Sequence, residues 1–271
     1  VKGVNQMDFL KRNIAPLTKE IWEELDERAR EVFIRNLRMR KLIDVEGPYG
    51  WDFSSYNLGT LDMKENTKNA LGWGIRNSLP LIEVRYPFEL DIWDLDNIER
   101  GSETPDLERL EQAAVALSSF EDKIILSGEE KAKIVGLFNF AAQNLVKSSS
   151  ENVGDFIKSI FEAEARFRKN GIEGPFVLVI NKQIWERLFV QQSSYPLTLL
   201  LKEIMDIKVE TISDLETSLI ISTRGDDFKL ILGQDISLGY ETRHENKVKL
   251  FFTESFTFHI KTPEAIVGLE F

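Results

Sequence analysis

His244 and His259 are the only imidazoles in the 271-residue chain, and it has no cysteine. The side chains that most often ligate metals or attack substrates are therefore scarce. Glu241-Thr242-Arg243-His244 has the Glu-x-x-His spacing that sets two metal ligands on one face of a helix. A di-iron site uses that motif twice, and this chain carries it once, in a polar stretch read as a turn between strands. A solvated turn histidine is expected there. His259 sits among Phe256, Phe258 and Ile260 in an alternating pattern, which predicts a residue that sets a strand face. Neither a Gly-x-Ser-x-Gly elbow nor a Gly-x-x-x-x-Gly-Lys phosphate loop occurs, and nothing fixes a nucleophile beside either histidine. Glu20, Glu23, Glu24, Glu27 and Glu31 form an acidic helix face, read as solvated surface. These residues predict no catalytic centre and no metal site.

The elements are legible from periodicity. From Thr18 to Leu37, Ile21, Leu25, Ala29, Val32 and Asn36 share one stripe, with Trp22, Phe33 and Leu37 beside it. Thr18 suits the N-cap, and the early glutamates suit the positive end. So broad a stripe needs an apolar surface to lie on. Ser54 to Asn77 has little periodicity and turn signals at Asn57-Leu58-Gly59 and Asn66, which predicts a long projecting hairpin or loop. Leu81 to Leu90 reads as a strand. A second helix starts near Thr104-Pro105-Asp106 and carries Leu107, Leu110, Ala114, Leu117, Phe120 and Ile124 to a stop near Gly128. At about 1.5 Å per residue it spans roughly 30 Å, enough for a fold's backbone.

An apolar segment, Ile134 to Val146, precedes a third helix, Asp155 to Lys169, which Asn170-Gly171 ends. Phe176 to Ile180 reads as a buried strand, and a helix with Trp185, Leu188 and Phe189 follows. The last fifth of the chain is strand-dominated: Leu219–Ser222, Phe228–Leu232, Val248–Thr253 and Phe256–Ile260. Helices and strands in separate runs predict an α+β fold.

Composition narrows the classes. With 42% hydrophobic residues the chain can bury one large core or two modest ones. Its net charge of −11, from 45 acidic and 34 basic residues, repels phosphate backbones, so no nucleic-acid partner is expected. The cluster Arg35, Arg38, Arg40 and Lys41 is read as pairing with nearby acids. Ile134 to Val146, broken by Asn139, Gln143 and Asn144, is too short to cross a bilayer, and Val1 to Gln6 has no signal-peptide core. A soluble cytoplasmic protein without a membrane partner is expected.

Several strings then matter in their order: Met7–Arg12, Ala15–Thr18, Asp44–Trp51, Ser78–Glu83, Asp91–Gly101, Gly171–Phe176, Phe228–Asp235, Thr253–Phe258 and Pro263–Ile266. Together they resemble encapsulin nanocompartment shell proteins (family 1, Thermotoga-type) over nearly the whole chain from Met7. Lys133 to Val153 carries no family string, and Val1 to Gln6 lies upstream of the usual start.

The resemblance implies the HK97-like major capsid protein fold. Residues 1–53 would hold the N-terminal helix and the start of the P-domain, 54–77 the E-loop, and 78–132 the P-domain with its spine helix. Residues 133–219 would be the A-domain, and 220–271 the P-domain's C-terminal strands. It implies a self-assembling icosahedral shell, expected as T=1, that encloses a ferritin-like protein or a dye-decolourising peroxidase held by a C-terminal targeting peptide. Iron storage or oxidative-stress defence would follow. A virus or prophage major capsid protein is the alternative within the same fold. By family position the cargo peptide would meet Phe33, Leu37, Arg40, Asp44, Ile236, Leu238 and Tyr240. Gln191, Gln192, Ser193, Ser194 and Tyr195 would rim a pore. No cofactor is required; Arg85, Trp93 and Tyr195 form the candidate site for a shell-bound flavin (FMN).

Overall fold

Thr18 caps the first helix as its residue type predicts, its hydroxyl accepting the Ile21 N–H at 3.4 Å, and α1 runs Lys19–Asn36. The computed structural model describes residues 9–64, 72–148, 152–191, 196–213 and 215–270. After α1 come β1 (Asp44–Glu46), β2 (Ser55–Lys64), β3 (Trp73–Pro80) and β4 (Ile82–Asp91). The Asp91 carboxylate caps α2 (Ile92–Glu99) by accepting the Trp93 N–H, and α3 (Glu108–Ser127) follows. Short β5 (Gly128–Glu129) and β6 (Ile134–Val135) lead to α4 (Leu137–Gln143), β7 (Leu145–Lys147) and α5 (Val153–Lys169). Then come β8 (Phe176–Asn181), α6 (Lys182–Gln191), α7 (Leu197–Met205) and β9 (Ile207–Ile212). The chain closes with β10 (Ser218–Ser222), β11 (Phe228–His244), β12 (Lys247–Ile260) and β13 (Ile266–Glu270).

These elements sort into two compact units. The first comprises the described residues of Val1–Leu37, Gly47–Asp122 and Ile231–Thr257. Its sheet sets β12 between β11 and β4, antiparallel to β4 from Lys247 opposite Asp91 to Phe256 opposite Ile82. The apolar stripe of α1 (Ile21, Leu25, Ala29, Val32, Phe33) packs with Leu110, Ala114 and Leu117 of α3 and with Phe88, Leu90, Leu250 and Phe252 of the sheet. Each large side chain so buried stabilises by about 2 kcal/mol. Two glycines are required here. Gly47 has φ 112°, and a Cβ on it would lie 2.5 Å from the Leu232 carbonyl oxygen. A Cβ on Gly239 would meet the Phe251 ring at 2.4 Å.

The second unit holds Arg38–Glu46, Lys123–Leu230 and the described part of Phe258–Phe271. Its five-stranded sheet has the order β7-β13-β10-β8-β9. Strands β8 and β9 run parallel, so their connection is a crossover that contains α6 and α7. Phe176 to Ile180 are all buried, as the uninterrupted apolar run predicts. Helix α5 buries Phe156, Ile160, Ala163 and Phe167, and Phe167 meets Phe176 at 4.7 Å between ring centroids. At the loop before β11, Arg224 grips both carboxylate oxygens of Asp227 at 2.9 and 3.0 Å.

Three sequence readings change. The second helix begins at Glu108 instead of near Thr104: Asp106 accepts the Glu108 N–H from outside the helix, which leaves Pro105 in the loop. Glu241–His244 is the exposed end of β11, and the turn falls at Glu245, whose φ is 51°. The two late strands are one, because Thr253, Glu254 and Ser255 continue the ladder while buried. The projecting segment takes the hairpin form of the two expected, β2 antiparallel to β3, and residues 65–71 lie outside the described residues. Helices α2, α4 and α7 and strand β9 are short and were not anticipated.

Candidate functional site

Five of the seven residues expected at a peptide groove meet in the first unit. Phe33 and Leu37 come from the last turn of α1 and its end, and Ile236, Leu238 and Tyr240 from β11, one residue apart in alternation. Such spacing puts the three strand side chains on one face. Phe33, Leu37 and Leu238 are buried, and the Phe33 ring stands edge-on to Phe252 at 5.1 Å. They are the floor of this face. Ile236 and Tyr240, half-buried, are its accessible part. Gln234 shares their parity, and its buried Nε2 has no hydrogen-bond partner among the described residues. A buried glutamine in an apolar strand is a signal that sequence reading passed over.

The backbone beside this face is open. Strand β11 is 17 residues long, and its neighbour away from β12 is β1, three residues long. Tyr49 and Gly50 donate to the carbonyls of Leu232 and Gly233 at 3.0 and 2.7 Å, and Tyr240 donates to the Leu10 carbonyl at 2.8 Å. Between those points no strand borders β11 on that side among the described residues. The Ile236 N–H turns to the Asp235 carboxylate at 2.8 Å, as an amide outside a ladder would. An extended peptide can add to such an edge, with alternate side chains on the apolar floor.

Arg40 and Asp44 belong to the second unit. Arg40 lies in a single 3-10 turn, Met39–Lys41, and the Asp44 carboxylate accepts the Asp226 N–H. Asp44 also lines a polar cavity of about 150 Å³ with Lys41, Ser222, Thr223 and Asp227. Asp226 in turn receives Lys261 and, at 3.2 Å, Lys229, which hold its carboxyl below the usual range. Burial, reinforced by Lys229 and Lys261, holds the His259 imidazole below its ordinary value. His244 is exposed at the end of β11. No group of three or more His, Asp or Glu side chains suited to a metal ion occurs among the described residues.

Of the expected pore rim, Gln191 is the exposed last residue of α6, and Gln192, Ser193, Ser194 and Tyr195 lie outside the described residues. Of the expected flavin residues, Tyr195 also lies outside them. Trp93 is 61% exposed, and the guanidinium over its ring is that of Arg100, at 5.8 Å. Arg85 lies instead over Phe251, at 4.2 Å. Desolvation, then the charges of Asp106 and Asp91, raise the carboxyl of neighbouring Asp94. Trp93 is thus an exposed ring in an acidic setting, and the cation over it is Arg100, not the expected Arg85.

The β2–β3 hairpin is the other unusual surface. Leu61 pairs with Arg76 and Met63 with Gly74, whereas Ile75 pairs with Asp62 and Trp73 with Lys64. Directly paired residues share a face, so Leu61 and Met63 point to one side and Ile75 and Trp73 to the other. All four are 51–59% exposed. A ribbon with apolar side chains on both faces has no core of its own.

A family model described as an encapsulating protein for peroxidase matches residues 7–257. A type 1 encapsulin shell protein of Rhodococcus erythropolis is 32% identical over 268 residues, covering 97% of this chain and 100% of that one. One from Rhodospirillum rubrum is 31% identical over 271 residues, covering 97% and 96%. Among solved structures, a virus-like particle from Pyrococcus furiosus superposes with a TM-score of 0.62 at 21% identity, covering 92% and 98%. The capsid of Myoviridae phage XM1 does so with a TM-score of 0.58 at 12% identity, covering 86% and 91%. The last two likenesses show the fold.

Proposed function

The chain belongs to the encapsulin shell-protein family and has the HK97-like capsid fold, and on that premise we propose that it builds a closed icosahedral shell around a cargo enzyme. The observation that carries this reading is the hairpin with two apolar faces. Such an arm makes sense when neighbouring copies cover it. Covering half of one such side chain contributes about 1 kcal/mol, repeated at every subunit. The exposed Phe189 and Val190 of α6 are a second surface suited to copies of the chain.

In this reading the inner wall presents the β11 edge and its apolar face to a C-terminal targeting peptide. The cargo is a ferritin-like protein or a dye-decolourising peroxidase, in a cytoplasmic shell of T=1. Chemistry belongs to the cargo, and the shell itself is no enzyme; the curated relatives named above are shell proteins. Gln191 and the four residues after it rim a pore. A flavin would stack on Trp93 in exchange for Arg100, which the visible absorption spectrum of purified particles tests.

Size-exclusion chromatography with mass spectrometry of the particle contents tests the main reading. Megadalton particles holding one dominant protein support it. Monodisperse monomers or dimers contradict it, and nucleic acid filling the particles would favour a viral capsid instead.

A further inference from the structure

The segment just before α1 lies on the same β11 edge that the docking reading uses. Leu10 accepts the Tyr240 N–H at 2.8 Å, a bond that an incoming strand running to Tyr240 would need for itself. Three contacts hold the segment there. Phe9 stacks on Trp51 at 4.9 Å with 6° between ring planes. Arg12 lies over the Trp22 ring at 4.0 Å and pairs with Asp26 at 2.7 Å. Ala15 and Leu17 pack against the core cluster, which anchors the segment's far end. The Trp22 ring is buried, but Phe9, Arg12, Trp51 and Asp26 all remain solvent-accessible, where stacked rings, cation–π pairs and ion pairs each contribute modestly.

We infer that Phe9–Ala15 is a built-in strap over the Tyr240 end of the β11 edge, which an extended peptide must lift before it can use the edge over its full length. One N–H serves one acceptor, so strap and peptide compete at Tyr240. The strap is tethered and therefore present at high effective concentration. It sets a threshold: a tail making only a few contacts on Ile236 and Leu238 is excluded, and one filling the whole face displaces it. This inference rests on the proposal that cargo tails dock on this edge.

The test compares assembled particles of the native chain with those of the double variant F9A/R12A, which loosens the strap and leaves β11 and α1 intact. Two labelled probes are titrated and followed by fluorescence anisotropy. One is a synthetic peptide of residues Phe9–Leu17, and the other is the C-terminal tail of the protein found inside native particles. Removing the strap's contacts should tighten both probes about tenfold, from the lost stacking and weakened hydrogen bond together. The tail should also displace the Phe9–Leu17 peptide, and the Tyr240 amide should exchange faster in the variant. Equal affinity of the tail for both particles, or binding that leaves the Phe9–Leu17 peptide in place, overturns the strap while cargo docking stands. A tail that binds neither particle overturns docking on this wall, and the strap's role with it.

Discussion

Phe33 and Ile236 face the same groove, yet they should fail differently when cut back. Phe33 is buried edge-on against Phe252, so Phe33→Ala should cost about 3–4 kcal/mol of stability, read by chemical denaturation of the subunit. Ile236 is half-buried; Ile236→Ala should cost under about 1.5 kcal/mol while weakening capture of cargo, read as cargo content per particle. A large stability loss at Ile236 with undiminished cargo would move the docking face elsewhere. His259 carries a pH signature. Its folded-state pKa is depressed, so the stability it preserves is complete above the ordinary imidazole value of about 6.5 and is lost as pH falls through the folded value. The groups involved are Lys229 and Lys261, themselves paired with Asp226, and Glu46, which Lys229 also reaches. His259→Gln should flatten the fall in melting temperature between about pH 7 and pH 5, and an unchanged slope would remove His259 from that role. Apolar alternation made Ile236, Leu238 and Tyr240 legible as a strand face. That Phe33, Leu37 and Leu238 would be floor and Ile236 surface was not, because burial depends on which elements lie over a residue.

At the scale of elements, the hairpin is the sharpest case. Its existence was legible as a long segment with turn signals, but its two apolar faces were not, since they follow from a register with a shift between Asn57 and Leu61. The double variant Leu61→Ser with Trp73→Ser should leave circular dichroism and monomer stability nearly unchanged, because both side chains are half-exposed and outside the buried core. It should reduce particle yield at least tenfold on size exclusion, from about 2 kcal/mol lost at each intersubunit contact. Normal particles would show that the hairpin is not an assembly arm. Long periodic helices were read well because α1 and α5 each keep one stripe for four or more turns. α7 and β9 were missed because both are short: Leu197, Leu201 and Met205 step by four over little more than two turns, and Ile207 and Val209 alternate with Lys208 and Glu210 over a single short strand.

For the whole molecule, the ordered strings from Met7 to Ile266 point to a shell subunit, whereas composition alone points only to an acidic chain with no evident active site. Its two units, the uncovered arm and the open strand edge describe a chain that leaves surface to be covered by other chains. Assembly and cargo docking are separate uses of that surface, so variants of the hairpin and of the β11 face should affect them independently. Cryo-electron microscopy of particles purified from the native source tests the central claim most directly. Closed icosahedral shells are expected, with the β2–β3 hairpin covered on both faces by neighbouring copies and extended peptide density along β11 near Ile236 on the inner wall. Isolated subunits, or shells whose hairpins stand free in solvent, would contradict it.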